Sequence, residues 1–220
     1  MLVVYCLTLP GSIEPRTLAR LLDAVQDDRR EVLARFRDRR DALRGACGEL
    51  LARHVLSIET RMPPAEVRFS RDANGKPSPP AGVRRRFNIS HAGDLVVCAT
   101  ADAAVGVDVE RIGPIDRETA RAVLDAAEFD RFRQLPVAES RAFFFDRWTI
   151  RESFLKAVGT GLAIEPGSLR VEEADDGPFI TRGDGTYFCR RYAAADGYAL
   201  CACSADGAFA PGVTEVPFLW

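Results

Sequence analysis

Residues 147–157 read RWTIRESFLKA, and this stretch decides the fold that we predict for the rest of the chain. At about 100° per residue, its apolar side chains cover more than half of the circumference of a helix. The remaining polar wedge holds Glu152 and Lys156, which are one turn apart, together with Thr149 and Ser153. The pattern predicts a largely buried helix that directs one carboxylate and one amine into a shared cleft. An ordinary solvated Glu–Lys pair, worth about 0.2–0.5 kcal/mol to a helix, is the alternative.

The composition is that of a globular protein able to bury a sizeable core. Of the 220 residues, 47% are hydrophobic and 28% are charged, which argues against disorder. A formal net charge of −2 argues against general binding to nucleic acids or anionic membranes, so any anion site must be local. No stretch approaches the ~18 apolar residues of a membrane helix. We therefore expect a cytoplasmic monomer with no nucleic-acid partner and no membrane partner.

The six cysteines are spread along the chain and, with only two histidines present, they form no zinc-binding pattern. Cys201 and Cys203 alternate in a strand-like run, so we expect them to point to the same side. Buried free thiols in a reducing compartment are the better interpretation.

Hydrophobic periodicity divides the chain into helices and strands. Helices are predicted at 16–25, 28–58, 116–132 and 140–158, and strands at 1–10, 67–70, 95–101, 104–110, 168–174, 178–182, 185–192 and 197–204. A polar turn is expected at Asn74-Gly75 and a hairpin tip at Ala92-Gly93-Asp94. Gly159-Thr160-Gly161 is expected to cap the last of these helices.

A weak internal repeat suggests how these elements are arranged. Residues 94–101 resemble residues 197–204, and a helix precedes each of them. The fold class that we expect is α+β, built from two similar α+β halves related by a pseudo-twofold axis, with the active site at their interface. The first half would span residues 1–103 and the second residues 104–220. Similarity over so short a stretch can also arise by chance.

Two carboxylates are predicted to lie side by side on one strand. In Gly106-Val107-Asp108-Val109-Glu110, strand alternation sends the valines to one face and both acids to the other. Their repulsion is costly unless one acid is protonated or a cation lies between them. Oxygen ligands favour a hard ion, and Mg²⁺ binds a few carboxylates while it keeps positions for water and phosphates. A solvent-facing strand edge would show the same pattern.

Three segments occur in an order and spacing that is typical of one enzyme family. They are Asn88-Ile89-Ser90-His91, then Gly106-x-Asp108-x-Glu110, then Trp148-x-x-Arg151-Glu152-Ser153-x-x-Lys156. Supporting segments are Gly75-Lys76-Pro77, the helix that carries Arg44, and Gly159-x-Gly161-Leu162. Over residues 28–165 the chain resembles the 4′-phosphopantetheinyl transferases of the long, two-halved type. The resemblance implies transfer of the phosphopantetheine arm of coenzyme A to a serine of an apo acyl carrier or peptidyl carrier protein, with release of 3′,5′-adenosine bisphosphate.

The resemblance also implies roles for the matching residues. Asp108, Glu110 and Glu152 would bind Mg²⁺ on the pyrophosphate, and Glu152 would also take the proton of the incoming serine. Lys156 would neutralise or protonate the leaving phosphate. Coenzyme A would be held by Arg44, Lys76, Ser90 and His91. Of these, Arg44 and His91 would lie near its 3′-phosphate. These roles agree with the chemistry, because a metal and an ammonium stabilise the charge created when a pyrophosphate is cleaved. Outside this motif, His91 would be interpreted as a structural histidine.

The sequence departs from the family pattern at three positions. Arg151 stands where lysine is usual, and Ser153 where alanine is common. Because Arg151 projects about 100° away from the neighbouring acid, we expect its head to reach outward and an Arg151→Lys substitution to be nearly silent in turnover. Val32 stands about where a second basic contact to coenzyme A is often found, so Arg29 or Arg30 would have to supply that contact.

The two-halved form suggests activation of polyketide or nonribosomal peptide synthetases. A carrier domain would dock on apolar positions of residues 112–125, including Ile112, Ile115, Val123 and Leu124. The same acids could instead activate water, in which case the protein would be a Mg²⁺-dependent pyrophosphohydrolase of coenzyme A or nucleotides. A non-catalytic module that binds coenzyme A or carriers is the other alternative, and the intact set of acids and lysine argues against it.

Overall fold

The computed structural model describes residues 1–72, 75–159 and 163–218. Its helices are α1 (Pro15–Ala24), α2 (Asp27–Leu33), α3 (Arg39–Thr60), α4 (Arg117–Val123), α5 (Ala126–Gln134) and α6 (Val137–Val158), with a short 3-10 helix at Pro166–Ser168. Its strands are β1 (Leu2–Thr8), β2 (Ser70–Arg71), β3 (Pro77–Ser78), β4 (Arg86–Ala92), β5 (Leu95–Ala101), β6 (Val105–Arg111), β7 (Glu172–Ala174), β8 (Gly177–Arg182), β9 (Gly185–Arg191), β10 (Tyr198–Ser204) and β11 (Phe209–Val216). Asn74 of the predicted turn and the segment Thr160-Gly161-Leu162 lie outside the described residues.

The strands form two main sheets and one small one. The first main sheet has the order β11-β1-β5-β4, the second has the order β6-β10-β9-β8-β7, and β2 pairs with β3. The C-terminal strand β11 runs parallel to β1. It therefore joins the sheet of the first half, although the sequence analysis assigned all of residues 104–220 to the second half. This strand was not predicted, because Pro211 and Gly212 interrupt its pattern, and proline is tolerated there since β11 is an edge strand.

The two sheets pack against each other and each carries one long helix. Small apolar side chains of both sheets, including Val97, Ala99, Val107 and Ala202, meet in a shared core. Leucines of α3 pack on the other face of the first sheet. Ile150, Phe154 and Leu155 of α6 pack on the other face of the second sheet. The mixed class of helices and sheets that the sequence predicts is confirmed.

Two predicted helices are each divided in two by a capping residue. The helix expected at 28–58 is interrupted at Asp38, whose side chain accepts a hydrogen bond from the backbone N–H of Arg40 (2.7 Å) and starts α3. The helix expected at 116–132 is interrupted at Asp125, which forms a capping box with Glu128 at the start of α5. In both cases a local acid competes with the continuing helix for backbone N–H groups.

All six cysteines are buried free thiols, as the sequence predicts. Cys189, Cys201 and Cys203 share the core beneath α6, so the last two do point to the same side. No helix within the described residues is both long enough and apolar enough to cross a membrane.

Candidate active site

Close contact between α6 and β6 positions the charged residues of the site. A Cβ atom added to Gly106 would lie 1.9 Å from the backbone oxygen of Ser153, so only glycine allows the helix to approach this strand. Ser153 and Thr149 are fully buried, and their hydroxyls donate to the backbone oxygens of Ile150 (2.9 Å) and Asp146 (3.1 Å). The prediction that these two residues share the cleft wedge is therefore wrong.

Asp108 and Glu110 of β6 and Glu152 of α6 line one cleft of about 970 Å³. Burial raises the pKa of the Asp108 carboxyl above its ordinary value, against the opposing effect of Lys156. Burial raises the pKa of Glu110 and of Glu152 as well, and the negative charge of Asp108 raises both further. The three acids therefore repel one another in a partly dehydrated site, where a cation would relieve the repulsion.

Lys156 reaches across from α6 to the acid strand. Its Nζ lies 2.6 Å from Asp108 Oδ1 and donates to Ser90 Oγ (3.0 Å) and to the backbone oxygen of Val107 (3.3 Å). Among the described residues it forms its ion pair with Asp108 and none with Glu152. The alternative of a solvated Glu152–Lys156 pair does not describe this structure.

The acids offer oxygen atoms that suit a divalent cation. Asp108 Oδ2 is buried and has no hydrogen-bond partner among the described residues. Glu110 Oε1 accepts a hydrogen bond from Trp148 Nε1 (3.2 Å), which orients this carboxylate. No three acid, histidine or cysteine side chains of the described residues are already arranged to hold a metal ion. The donor set fits Mg²⁺ in its chemistry, since all of the available atoms are carboxylate oxygens, and the acids would have to move closer together to share one ion.

Lys76 and His91 form another part of the cleft wall. Lys76 Nζ donates to the backbone oxygen of Lys156 (2.6 Å), and burial lowers the pKa of the Lys76 ammonium. Burial also lowers the pKa of His91, and the positive charges of Arg44, Lys156 and Arg29 lower it further. An anion bound beside His91 would offset these charges, so this end of the cleft favours a negatively charged ligand.

Two other predicted contacts to coenzyme A have partners within the protein. The Arg44 guanidinium pairs with Asp41 and donates to the backbone oxygen of Gly93 (3.0 Å), so it lies behind His91 at the β4–β5 turn rather than on the cleft wall. The Ser90 hydroxyl lines the cleft but donates to Asp108 Oδ1 (2.9 Å). Contact of either side chain with coenzyme A stays a prediction.

The basic side chain near Val32 that reaches the cleft is Arg29. Val32 itself is exposed, and Arg30 pairs on the surface with Asp23 and Asp27. Arg29 lines the cleft, and burial lowers the pKa of its guanidinium, as does the nearby positive charge of Arg71. Arg29 is therefore placed to supply the basic contact that Val32 lacks.

Sequence reasoning missed several residues of the cleft. Glu49 is buried there and pairs with Arg71, and Gln26 donates a backbone hydrogen bond to it (2.8 Å). Glu49 lies on the apolar face of α3, and an acid at such a position signals a buried partner. Beside the cleft, Trp148 was assigned to the apolar face of α6 and to the family motif, without a partner for its indole N–H, which usually finds an acceptor and here donates to Glu110.

The prediction that Arg151 reaches outward is wrong. Its side chain is 0% exposed, with Nε donating to the backbone oxygen of Pro166 (3.0 Å) and Nη2 to that of Leu169 (3.0 Å). Nη2 also lies 2.5 Å from Glu128 Oε2. A helical wheel gives the direction of a side chain but not what covers it, and here α5 and the segment after α6 close over the guanidinium.

The predicted docking surface is also partly wrong. Val123 and Leu124 are buried against Phe129 and Phe144, where they hold α4 and α5 onto α6. They cannot form part of an exposed docking face, because the amphipathic pattern of residues 112–125 turns its apolar side inward.

With this geometry established, comparisons with known proteins identify the family. Residues 13–103 match the model of the 4′-phosphopantetheinyl transferase N-terminal region, and residues 104–203 match that of the 4′-phosphopantetheinyl transferase superfamily. A 4′-phosphopantetheinyl transferase of Bacillus subtilis is 31% identical over 88% of this chain and 88% of its own. The chain belongs to the 4′-phosphopantetheinyl transferase superfamily. The family and the enzyme class predicted from the sequence are therefore confirmed.

Two further relatives share most of their length with this transferase. The 4′-phosphopantetheinyl transferase Sfp of Bacillus subtilis strain 168 is 28% identical over 98% of this chain and 97% of its own. The 4′-phosphopantetheinyl transferase psf-1 of Bacillus pumilus is 34% identical over 76% of this chain and 72% of its own. Neither the pyrophosphohydrolase alternative nor the non-catalytic alternative finds support among these relatives. The assignment of individual site residues stays a prediction.

Proposed function

We propose that this transferase moves the 4′-phosphopantetheine arm of coenzyme A onto a serine of an apo acyl or peptidyl carrier protein. The serine Oγ forms a bond to the phosphorus of the phosphopantetheine phosphate. The bond from that phosphorus to the bridging pyrophosphate oxygen breaks, and 3′,5′-adenosine bisphosphate leaves. One observation carries the proposal: a single cleft holds three carboxylates and Lys156 at one part of its wall, and Lys76, His91 and Arg29 at another.

Glu152 is the acid best placed to take the proton of the incoming serine. It is half-buried, and no hydrogen bond or ion pair to the described residues occupies it. Its pKa is raised by burial and by Asp108, which makes the carboxylate a stronger base. A positioned base of this kind typically contributes about 10²–10⁴-fold to the rate.

Lys156 would hold the leaving phosphate. Its ammonium lies in the cleft at Asp108, so it is positioned before substrate binds and needs little reorganisation during the reaction. Charge developing on the leaving oxygen would be stabilised by this ammonium, which can also donate a proton to that oxygen.

Asp108, Glu110 and Glu152 are the residues that would hold Mg²⁺, and the partnerless Oδ2 of Asp108 supports this assignment. A bound Mg²⁺ would supply positive charge to the pyrophosphate oxygens. Trp148 keeps Glu110 oriented toward the cleft through its indole hydrogen bond.

We further propose that the two halves are related by a pseudo-twofold axis. The strand orders β1-β5-β4 and β6-β10-β9 support this proposal. In each half the chain forms a first strand, then a long helix, then two antiparallel strands of which the later one pairs with the first strand. Coenzyme A would bind in the cleft between the two halves. A monomer in the cytoplasm that activates polyketide or peptide synthetase carriers remains our expectation from the sequence.

Intact mass spectrometry of carrier proteins tests the function directly. Apo acyl carrier and peptidyl carrier domains are incubated with coenzyme A, Mg²⁺ and the enzyme, and a transferase must add the mass of phosphopantetheine to the carrier. The matched variant is Glu152→Gln, which preserves shape and should slow the reaction by about 10²–10⁴-fold with little change in coenzyme A binding. Coenzyme A cleavage without carrier modification would identify a hydrolase instead, and a Glu152→Gln enzyme with unchanged turnover would remove Glu152 from the mechanism.

A further inference from the structure

Strands β4 and β6 bring the two halves together without forming a sheet. β4 is the edge strand of the first sheet and β6 is the edge strand of the second, and no ladder of backbone hydrogen bonds joins them within the described residues. An edge strand exposes unpaired backbone groups, and a buried N–H without a partner costs about 1–3 kcal/mol. β6 carries Asp108 and Glu110, so whatever satisfies its free edge also holds the acids in place.

Side chains of β4 take the place of the missing ladder. Asn88 Oδ1 accepts a hydrogen bond from the backbone N–H of Val107 (3.0 Å), and Ser90 Oγ accepts one from the backbone N–H of Val109 (3.3 Å). Both pairs advance by two residues in the same direction, so the two edges run parallel and in register over this stretch. Asn88 and Ser90 are both buried.

This contact sets the offset between the two halves of the active site. A slip of one residue along a strand turns each side chain to the opposite face, so the alignment of β6 decides whether its acids reach the cleft. On the other strand, His91 follows Ser90 and lines the same cleft. The hydrogen bonds from Val107 and Val109 therefore fix the acids relative to His91, the basic residue of the cleft that β4 carries.

We propose that Asn88 is a positioning residue that aligns the acid-bearing strand β6 with β4. The inference rests on the proposed function for its kinetic consequences, but the alignment itself is a property of the fold. Ser90 cannot isolate this role, because its hydroxyl also contacts Asp108 and Lys156. The Asn88 side chain contacts neither of them, and its one hydrogen bond within the described residues is the one that it accepts from the Val107 N–H.

The test combines amide hydrogen exchange with kinetics. In Asn88→Ala the Val107 amide loses its acceptor, so its exchange measured by NMR should become faster, while the Val109 amide stays protected and serves as the internal control. Turnover with coenzyme A and an apo carrier should fall by about 10–100-fold, the usual effect of removing a residue that orients metal ligands. Asn88 borders the cleft, but its side-chain oxygen is taken by the Val107 amide, so the KM for coenzyme A should stay within about twofold. Asn88→Asp keeps an acceptor oxygen, so exchange at Val107 should stay slow.

Thr100→Val is the matched control for a purely structural loss. Thr100 is buried on β5 of the same sheet and donates a hydrogen bond to Glu59 (2.8 Å), away from the cleft. This variant should lose stability but keep the wild-type turnover. If Asn88→Ala does not fold, Asn88→Ser retains an oxygen with a shorter reach and should show a smaller change of the same kind.

Three results would overturn the proposal. Fast exchange at Val107 with wild-type turnover would make Asn88 merely structural, and a rise in the KM for coenzyme A alone would make it a substrate contact. Unchanged exchange at Val107 in Asn88→Ala would reject the alignment itself. Failure of the proposed function is a separate outcome, because the wild-type protein would then modify no carrier.

Discussion

The two long helices, α3 and α6, pack on their sheets in opposite ways. Each is 22 residues long and covers one face of a sheet. In the first half the small residues are on the helix, since Gly45 and Gly48 of α3 line the cleft. In the second half the small residue is Gly106 on the strand, directly beneath α6. A Cβ atom added to Gly45 or Gly48 would meet only the ends of side chains, whereas one added to Gly106 would meet the backbone of α6, so the glycine on the strand is what lets α6 bring its charged side chains to the acids.

The largest expected effect comes from breaking the close contact on the α6 side. In Gly106→Ala the new methyl group would overlap a backbone oxygen, which cannot move without moving the helix. We expect a loss of about 3 kcal/mol in the free energy of unfolding, at the upper end of overpacking effects. Turnover should fall by at least about 10²-fold even where the protein is folded, because both Glu152 and Lys156 are displaced. Urea unfolding and carrier modification measure the two effects.

Gly11→Ala is the control for this substitution, since nothing lies within 4 Å of the added Cβ there. It should leave both measurements unchanged. A fully active and stable Gly106→Ala enzyme would show that the close approach of α6 does not position the site.

The second largest effect is expected for Lys156→Ala, which tests whether Lys156 acts on the leaving phosphate or only pairs with Asp108. Lys156→Ala removes the ammonium that would meet the leaving phosphate, so turnover should fall by about 10²–10³-fold, as when one preorganised donor is lost. It also leaves Asp108 buried without its ion-pair partner. Because burial raises the pKa of Asp108, this acid can take up a proton instead, and we expect a stability loss of only about 1–3 kcal/mol.

The experiment compares turnover and the urea midpoint for Lys156→Ala and Lys156→Arg. The arginine variant keeps the charge, so it should recover most of the stability and only part of the turnover, because the planar guanidinium differs in shape from an ammonium. Normal turnover in Lys156→Ala would leave only the structural role.

The same helix shows how far the sequence could predict the site. Residues that repeat every two positions in a strand, or every three to four in a helix, share a face, and this places Asp108 with Glu110 and Glu152 with Lys156. That Lys156 pairs with Asp108 rather than with Glu152 depends on how closely two distant segments approach, and no local pattern records that distance. Gly106 is the residue that allows this close approach, but from the sequence alone a glycine in a strand is equally consistent with a bulge or a bend.

The elements that were missed or misplaced depend on contacts between distant segments. Arg151 is buried because Glu128 and the segment at Pro166–Leu169 close over it, which periodicity within α6 cannot reveal. β11 is a strand because β1 offers it a partner, despite Pro211 and Gly212. The class of fold follows from patterns within segments, and these details follow from the packing of segments on one another.

The third effect contrasts Arg151 with Lys156, both of which lie on α6. Arg151→Lys keeps the charge near Glu128 but cannot serve the carbonyl oxygens of Pro166 and Leu169 together, because an ammonium lacks the width of a guanidinium. We expect a loss of about 1–3 kcal/mol in the free energy of unfolding, from buried acceptors left without donors. Turnover at a temperature where the variant is folded should stay within about threefold of wild type, since Arg151 does not line the cleft.

Arg30→Lys is the surface control for Arg151→Lys. Its ion pairs are exposed, so its effect on stability should stay below about 0.5 kcal/mol. Equal effects of the two substitutions on the urea midpoint would contradict the buried role of Arg151.

The smallest effect is expected on the α3 side of the comparison, at Gly48. An added Cβ would lie 3.0 Å from Cγ2 of Ile89, which is the end of a side chain rather than backbone, and 4.0 Å from Cδ2 of His91. Alanine is favoured over glycine inside a helix by about 1 kcal/mol, and a shift of Ile89 should offset most of this gain. The free energy of unfolding of Gly48→Ala should therefore stay within about 1 kcal/mol of wild type.

The same methyl group enters the cleft wall beside His91. The KM for coenzyme A should therefore rise by a few-fold, which corresponds to a loss of about 1 kcal/mol in the free energy of binding, while kcat is unchanged. Steady-state kinetics with varied coenzyme A decides this: a fall in kcat comparable to that of Gly106→Ala would show that the two helices do not differ in the way that their glycines indicate.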